Sequence, residues 1–535
     1  MARPTSDRFP LREPGMAPGG DAGVDARAAY RALVARDARF DGRFFVGVTT
    51  TGIYCRPICR VRTPLERNCT FHASAAAAEA AGFRPCLKCR PELAPGFAMS
   101  EASATLAVAA ARLIDAAVAG ACPALGTTRA LMPAIAARLG VGERQLRRLF
   151  ETRFGVAPVA YAQTQRLLLA RRFLTDTDWP VATVAFASGF ASVRRMNALF
   201  AARYGFAPTR LRRHARRSRH GAGDGVVATG PRATFMVAYR PPYDFARLVD
   251  FFSQRAIDGV ETVTPGPRGV YRRVLRLPSR PGGILGVIEV CDDPTRAALR
   301  VTLDAALAPH AAAVLALVRR VFDTEADPHA IAHALGTLAA GAPGLRLPGA
   351  FDPFELAVRA VLGQQVTVKA ARTLASRFVA AFGDPHAPGA GLTHAFPTPA
   401  RIAATAPETI AALGIVGARS RAIVALAQAF QRGSIDLAPG ASLDRALATL
   451  TTLPGVGPWT AHYIAMRALS WPDAWPPRDV ALMKALGLST DAAGQRAADA
   501  RADAWRPWRS YAVLHLWRRL EAATPPIIPT PRPDA

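Results

Sequence analysis

Two close thiol pairs constrain this chain most: Cys55-Arg-Pro-Ile-Cys59 and Cys86-Leu-Lys-Cys89, separated by residues 60–85. Four cysteines at this spacing can close a tetrahedral Zn²⁺ site, so one zinc ion near the N-terminus is expected. Five of the seven cysteines fall between positions 55 and 89. A secreted, disulfide-stapled protein would spread its pairs along the whole chain, so the pattern points to metal binding in a reducing compartment. From spacing alone the site reads as a structural zinc knot, because closed four-thiolate sites are mostly structural.

The local words extend that reading. Thr49-Thr-Thr-Gly-Ile-Tyr-Cys55-Arg-Pro-Ile-Cys59-Arg60 and Gly82-Phe-Arg-Pro-Cys86-Leu-Lys-Cys89-Arg-Pro91 closely resemble the N-terminal domain of the Ada adaptive-response family. That resemblance implies that Cys55 takes a methyl group from a methylphosphotriester in DNA, with Cys59, Cys86 and Cys89 as the supporting ligands. Cys69 lies between the pairs and reads as a buried thiol. The chemistry is coherent, since Zn²⁺ keeps thiols deprotonated and the thiolate is the nucleophilic form. Four thiolates on one Zn²⁺ leave net negative charge, which repels an ordinary phosphodiester but not a methylated, neutral phosphate. Methylation of one sulfur cuts that charge and raises affinity for the DNA polyanion.

Composition fits a nucleic-acid partner. Lys+Arg number 67 against 40 Asp+Glu, a formal net charge of +27, and the pI is near 11.1. This is a large electrostatic footprint for phosphate backbones. Only Lys88, Lys369 and Lys484 are lysines, so arginine, which suits bidentate contacts with phosphate and guanine, carries the charge. At 535 residues the chain should hold about three to four domains. Its first twenty residues lack the apolar core of a signal peptide, and no stretch meets the length of a membrane span, so a cytoplasmic protein without a membrane partner is expected.

From about Thr105 to Arg217, apolar positions recur at helical spacing between arginine-rich faces, which predicts an all-helical region. Leu131–Gly140, a Gly-containing turn, and Glu143–Phe150 form one helix-turn-helix pattern; Val181–Ala187, Ser188-Gly-Phe190 and Ser192–Phe200 repeat it. Two such units about fifty residues apart resemble the AraC family of transcription activators. The second helix of each would enter the major groove, with Arg144, Arg147 and Arg148 in one and Arg194, Arg195 and Asn197 in the other as candidate contacts. An activator of this kind also implies RNA polymerase as a partner. The Gly-rich segment after the basic run Arg210–His220 reads as a linker.

Beyond the linker, Thr234–Tyr239, Val270–Leu277 and Ile284–Val290 read as strands, with a helical stretch Asp244–Arg255 among them. This α+β order resembles the N-terminal domain of the AlkA-type alkylpurine DNA glycosylases. In the last region, Leu453-Pro-Gly455-Val456-Gly457-Pro-Trp459-Thr-Ala461 predicts a helix, a glycine hairpin and a second helix start, whose backbone N–H groups can grip a DNA phosphate. It resembles the helix-hairpin-helix motif, with Gly455, Val456 and Gly457 at the DNA. Asp479 stands where glycosylases of that superfamily place their catalytic aspartate. By the same resemblance Trp459, Tyr463 and Trp508 match aromatic base-pocket positions, and could stack on an electron-poor base.

N-glycosidic cleavage builds positive charge on the sugar, which a preorganised carboxylate stabilises. Asp479 could also orient water. The target base must be flipped from the duplex. Bifunctional relatives carry a lysine at the position of Trp459, so no Schiff base is expected and a monofunctional glycosylase follows. Gln365, in Gly363-Gln-Gln365-Val-Thr367, falls where the family has an apolar wedge, and is a candidate DNA contact. No cysteine cluster follows Asp479, so no iron–sulfur cluster is expected. Pro-Cys-His-Arg is absent, and with it the usual O6-methylguanine acceptor; neither Cys122 nor Cys291 offers a substitute.

The expected architecture is multidomain and mostly α. A small four-cysteine zinc domain spans 24–97, a double helix-turn-helix domain 104–217 and a linker 218–231. An α+β domain then covers 232–348 and an all-α helix-hairpin-helix glycosylase domain 349–525. The expected function is repair of alkylated double-stranded DNA, by excision of 3-methyladenine-type purines, with methyl transfer to Cys55 and promoter binding. A transcription regulator with a non-catalytic C-terminal DNA-binding module is the alternative.

Overall fold

The computed structural model describes residues 25–95, 106–120, 130–221, 232–266, 268–278, 282–389, 391–438 and 441–523. In the N-terminal part, β1 (Phe45–Val48), β2 (Ile53–Cys55), β3 (Cys69–His72) and β4 (Arg84–Pro85) form a sheet in the order β3-β1-β2-β4. The turn between β1 and β2 needs Gly52, whose φ is 63°. Helices Ala26–Val34 and Ala75–Ala80 pack on this sheet. The second is capped by the Ser74 hydroxyl, which accepts from Ala77 N at 3.0 Å.

Two helix-turn-helix units follow with matching burial. The helix Glu143–Phe154 buries Leu146, Phe150 and Phe154, and the helix Val193–Tyr204 buries Met196, Phe200 and Tyr204. Each is an i, i+4, i+8 stripe, and each helix ends at a left-handed glycine, Gly155 or Gly205. The expected ends at residues 150 and 200 were one turn short, because these aromatic positions keep the apolar stripe going. The helix Pro158–Asp176 joins the two units. A terminal basic helix runs Pro208–Gly221, so the start of the expected linker is helical; residues 222–231 lie outside the described residues.

The α+β part is a five-stranded antiparallel sheet, ordered β5-β9-β8-β7-β6. Its strands are β5 (Ala233–Ala238), β6 (Glu261–Thr264), β7 (Val270–Leu277), β8 (Ile284–Asp293) and β9 (Ala298–Leu303). β6 and β9 were not anticipated. Phe173 and Trp179 both pack edge-on against Phe235 of β5, so the helix-turn-helix core and the sheet core are continuous.

The C-terminal part is helical from Pro353 to Ala523 except for one hairpin, β10 (Asp384–Gly389) and β11 (Leu392–Ala395). The all-α expectation is corrected there: a Pro- and Gly-bearing segment cannot prolong the helix Val368–Phe382. Leu392 and Ala395 instead pack against Val274 of β7. Two apolar cores fill the helical part, and Tyr463 packs against both. Among the described residues no helix is long and apolar enough to cross a membrane.

Candidate active site and zinc centre

Strand pairing assembles the cysteines. Cys55 ends β2, and Cys86 follows β4, which runs parallel to β2. Cys86 N donates to Tyr54 O at 3.0 Å, which sets the two thiols side by side. The Sγ atoms of Cys55, Cys59, Cys86 and Cys89 all lie within 4.8 Å of one another. Zn–S bonds of about 2.3 Å fit such a cage. Cys55, Cys59 and Cys86 are buried, and none of the four is in a disulfide. Arg56 N donates to Cys89 Sγ at 3.3 Å, the kind of outer contact that supports a thiolate ligand. A single four-cysteine zinc site fits this donor set. Cys69 is half-buried rather than buried and bonds Leu65 O, outside the cage. Cys122 lies outside the described residues, and Cys291 contacts Arg300 at 3.3 Å.

The cage is held by buried ions. Arg56 pairs with Asp41 and donates to Cys89 O at 3.1 Å. Arg171, from the helix joining the two helix-turn-helix units, donates to Cys86 O at 2.8 Å. Glu79 is fully buried and accepts from Tyr54, Tyr204 and Thr164 at 3.1, 3.2 and 3.3 Å. Burial pushes its carboxyl up to about 7, against the lowering effect of Arg203 and these donors. Tyr54 adjoins Cys55, and Tyr204 ends the second candidate recognition helix, so one carboxylate ties the two modules together.

On those helices Arg144, Arg147, Arg148, Arg194, Arg195 and Asn197 are all exposed. Arg147 pairs with Glu143 at 3.0 Å, one turn away. The others present an open basic face.

In the C-terminal part a cavity of about 1130 Å³ opens between the two helical cores. Trp459, Tyr463, Asp479 and Gln365 line it. Trp459 and Tyr463 lie one turn apart on the helix Pro458–Ala468, with rings parallel to within 8° and centroids 5.3 Å apart. Asp479 is 6% exposed. Its Oδ2 accepts from Trp459 Nε1 at 2.8 Å, and its Oδ1 accepts from Leu482 N at 2.9 Å, capping the helix Val480–Leu486. The residue is at once a helix cap and a cavity carboxylate.

Trp508 does not join them. It is buried against Tyr511, in the same apolar core as Trp475, Leu482 and Met483. Trp517 lines the cavity instead, 6.4 Å from Tyr463. Position 508 precedes the helix Arg509–Ala523 and position 517 lies two turns into it, a difference that composition does not reveal. Arg467, also missed, continues the face of Trp459 and Tyr463 at positions i, i+4 and i+8, a spacing the sequence does carry.

The hairpin is exposed at Gly455 and Gly457, where φ of Gly455 is 75°. Val456 turns inward, 4% exposed, and its N–H donates to Leu453 O at 3.2 Å. It anchors the hairpin and offers DNA neither side chain nor N–H, which corrects the expectation for this residue. Gln364 Nε2 clips the hairpin through Gly455 O at 2.8 Å and Thr460 Oγ1 at 3.1 Å. Gln365, next in sequence, is exposed at the cavity mouth in a left-handed conformation, φ 55°. Such strain in a non-glycine residue clusters at functional sites.

A zinc cage, paired helix-turn-helix units and a hairpin-flanked carboxylate cavity define a multidomain DNA-binding repair protein. Residues 28–92 match the metal binding domain of Ada, and residues 135–214 a helix-turn-helix domain. Residues 234–352 match the AlkA N-terminal domain, and residues 358–510 the HhH-GPD superfamily base excision DNA repair protein. A Mycobacterium tuberculosis (strain CDC 1551 / Oshkosh) relative, named a probable bifunctional transcriptional activator/DNA repair enzyme AlkA, is 40% identical over 508 residues, covering 93% of this chain and 97% of its own. The chain belongs to this family of bifunctional transcriptional activator/DNA repair enzymes, and its C-terminal half is a DNA glycosylase. Escherichia coli (strain K12) DNA-3-methyladenine glycosylase 2 is 38% identical over 283 residues, covering 53% of this chain and 96% of its own. The bifunctional Ada enzyme of the same organism is 34% identical over 161 residues, 30% of this chain and 42% of its own.

Proposed function

We propose that the protein excises 3-methyladenine-type purines from double-stranded DNA at the cavity centred on Asp479. The observation that carries this reading is a buried carboxylate held by Trp459 beside an aromatic wall, at the mouth of which the hairpin can grip DNA. The flipped base stacks on Trp459 and Tyr463 while the exposed backbone at Gly455 and Gly457 holds the phosphate. The glycosidic bond breaks with its electron pair leaving on the purine, and the cationic sugar meets the Asp479 carboxylate. Water adds at C1′ and gives up a proton, leaving an abasic site and free base. Trp459 has no amine, so no covalent lyase step follows.

Binding of DNA carrying a cationic pyrrolidine abasic-site mimic tests this role. Wild-type protein should bind it at least tenfold more tightly than DNA with a neutral abasic analogue, because the site favours the transition-state charge. The Asp479→Asn variant should lose that preference. A preference retained in the variant would remove Asp479 from the chemistry.

At the N-terminal end the reading is methyl transfer from a DNA methylphosphotriester to Cys55. The Cys55–methyl bond forms as the methyl–oxygen bond breaks, and the electron pair restores the phosphodiester anion. A bound Zn²⁺ would keep the four sulfurs as thiolates. Cys55 and Cys59 line a small, mostly apolar pocket with Leu33, Val46, Val48, Val61, Thr63 and Pro64, whereas Cys86 and Cys89 do not. Apolar surroundings suit an uncharged methyl group. Mass spectrometry after incubation with methylphosphotriester DNA should find one added methyl on the Cys55 peptide; an unmodified peptide would leave a structural zinc site only. In this reading the methylated protein activates transcription with RNA polymerase, in the cytoplasm.

A further inference from the structure

Beside the large cavity lies a second pocket, of about 140 Å³, and four arginines line it: Arg247, Arg255, Arg346 and Arg518. The one carboxylate among its described lining residues, Asp250, is exposed to solvent. Positive charge is thus gathered from three separate stretches of chain. Arg247 and Arg255 lie two turns apart on the helix Phe245–Arg255, Arg346 stands in the segment before the helix Pro353–Leu362, and Arg518 belongs to the helix Arg509–Ala523.

Two of these guanidiniums keep donors in reserve. Arg346 is 1% exposed, and its Nη2 donates to Pro242 O at 2.9 Å and its Nη1 to Ala326 O at 3.3 Å, yet its buried Nε has no acceptor among the described residues. Arg518 makes no side-chain hydrogen bond or ion pair among the described residues, and its Nε is buried as well. Arg247 pairs only loosely with Asp244, at 3.5 Å. A buried charged donor without an acceptor is costly, so an acceptor belongs in this pocket. Its size limits the choice: water takes about 30 Å³ in the liquid, which leaves room for a group of roughly five heavy atoms. Guanidinium forks match tetrahedral oxyanions. Because the reserve donors are buried, the ligand must enter whole, which suits a free phosphate and not a phosphodiester carrying two sugars.

The two cavities share walls, since Trp517 and Arg255 line both. The arginine field reaches the larger one: burial would push the Tyr463 phenol up, but the guanidiniums of Arg467 and Arg255 hold it below its ordinary value. Such a field opposes the entry of a cationic purine and the growth of charge on the sugar.

We propose that the arginine pocket is a phosphate site, and that bound phosphate offsets the arginine field and so favours excision of cationic purines in the neighbouring cavity. The effect on excision rests on the reading of that cavity as the base pocket; phosphate binding does not. No bond of the phosphate forms or breaks.

Calorimetric titration of the full-length, zinc-loaded protein with inorganic phosphate, at an ionic strength fixed by chloride, tests the site. Wild type should bind one phosphate per chain in a saturable step. Arg518→Gln should bind it at least about tenfold more weakly, the loss of a charged hydrogen bond. Arg432→Gln, which removes an exposed arginine outside the pocket, should bind as wild type does. Single-turnover release of N7-methylguanine, at saturating protein, should then be roughly three- to tenfold faster in phosphate than in chloride for wild type, with no response in Arg518→Gln. Equal phosphate binding by the two variants would put the anion elsewhere and overturn the proposal. So would a DNA-binding salt slope lowered by about 0.9 in Arg518→Gln without a calorimetric site, which would assign the arginine to the DNA backbone. Phosphate binding with an unchanged excision rate would overturn the coupling. Phosphate binding without any excision would overturn the reading of the base pocket and leave the phosphate site standing.

Discussion

Trp459 donates its indole N–H to Asp479 Oδ2 at 2.8 Å, while the other oxygen, Oδ1, caps the helix that begins at Val480. Two bonds of different origin thus fix both oxygens of one carboxylate. Trp459→Phe removes the first bond and keeps a ring on Tyr463. A hydrogen bond to a charged group contributes about 1.5–3 kcal/mol, so excision should slow about 10–100-fold with little change in DNA affinity. Single-turnover rates measure this, and an unchanged rate would show that the indole N–H does not orient the carboxylate.

The cap separates chemistry from folding. Asparagine caps helices as well as aspartate, whereas alanine costs about 1 kcal/mol. Asp479→Asn should therefore melt with wild type and Asp479→Ala a few degrees lower, by calorimetry. Equal lowering in both would mean that the negative charge, not the cap, is structural.

The thiolate cage should hold one zinc ion per chain, counted by atomic emission. Cys86→Ser should lose that ion and loosen the N-terminal sheet, because Cys86 joins the cage to Tyr54 O and to Arg171. Full zinc occupancy in this variant would place the metal elsewhere.

Glu79 makes a pH prediction. Burial raises its folded-state carboxyl to about 7, against about 4.3 in an unfolded chain. The folded state thus binds the proton more tightly. Its stability contribution is present in full below about pH 4.3 and is lost as pH rises through about 7. Wild type should lose on the order of 3 kcal/mol of stability over that window that Glu79→Gln does not lose. Parallel denaturation curves for the two proteins at pH 5 and pH 8 would contradict the shift.

The exposed arginines of the candidate recognition helices should act through phosphate and base edges. Arg144→Ala and Arg194→Ala should each weaken promoter binding, and each lost phosphate contact should lower the salt slope by about 0.9. Arg147, already paired with Glu143, should matter less. A salt slope unchanged in Arg144→Ala would assign that residue to base readout or to solvent.

Much of this layout was legible in local sequence words. The paired cysteines carry a spacing that suits a metal cage, and the apolar positions Leu146, Phe150, Met196 and Phe200 carry the helical period, though the last turns to Phe154 and Tyr204 were not read. The strands β7 and β8 were readable because they are long and carry β-formers such as Val270, Tyr271, Val274, Val287, Ile288 and Val290. β6 and β9 were not, since Glu261–Thr264 is short and Ala298–Leu303 carries an exposed Arg300. In the cavity, Trp459, Tyr463 and Asp479 were named through the resemblance, the first two on the helix that leaves the hairpin and Asp479 twenty residues after Trp459. Trp517 comes from a distant helix, and only packing decides that it, and not Trp508, lines the cavity. Glu79 was illegible for the same reason: its partners Thr164 and Tyr204 lie 85 and 125 residues away.

Release of free 3-methyladenine from alkylated duplex DNA, by purified wild type and by Asp479→Asn, tests the central claim most directly. The account predicts steady release by wild type and near-complete loss in the variant, with DNA binding and melting temperature preserved. Release by Asp479→Asn at the wild-type rate, or by neither protein, would contradict it.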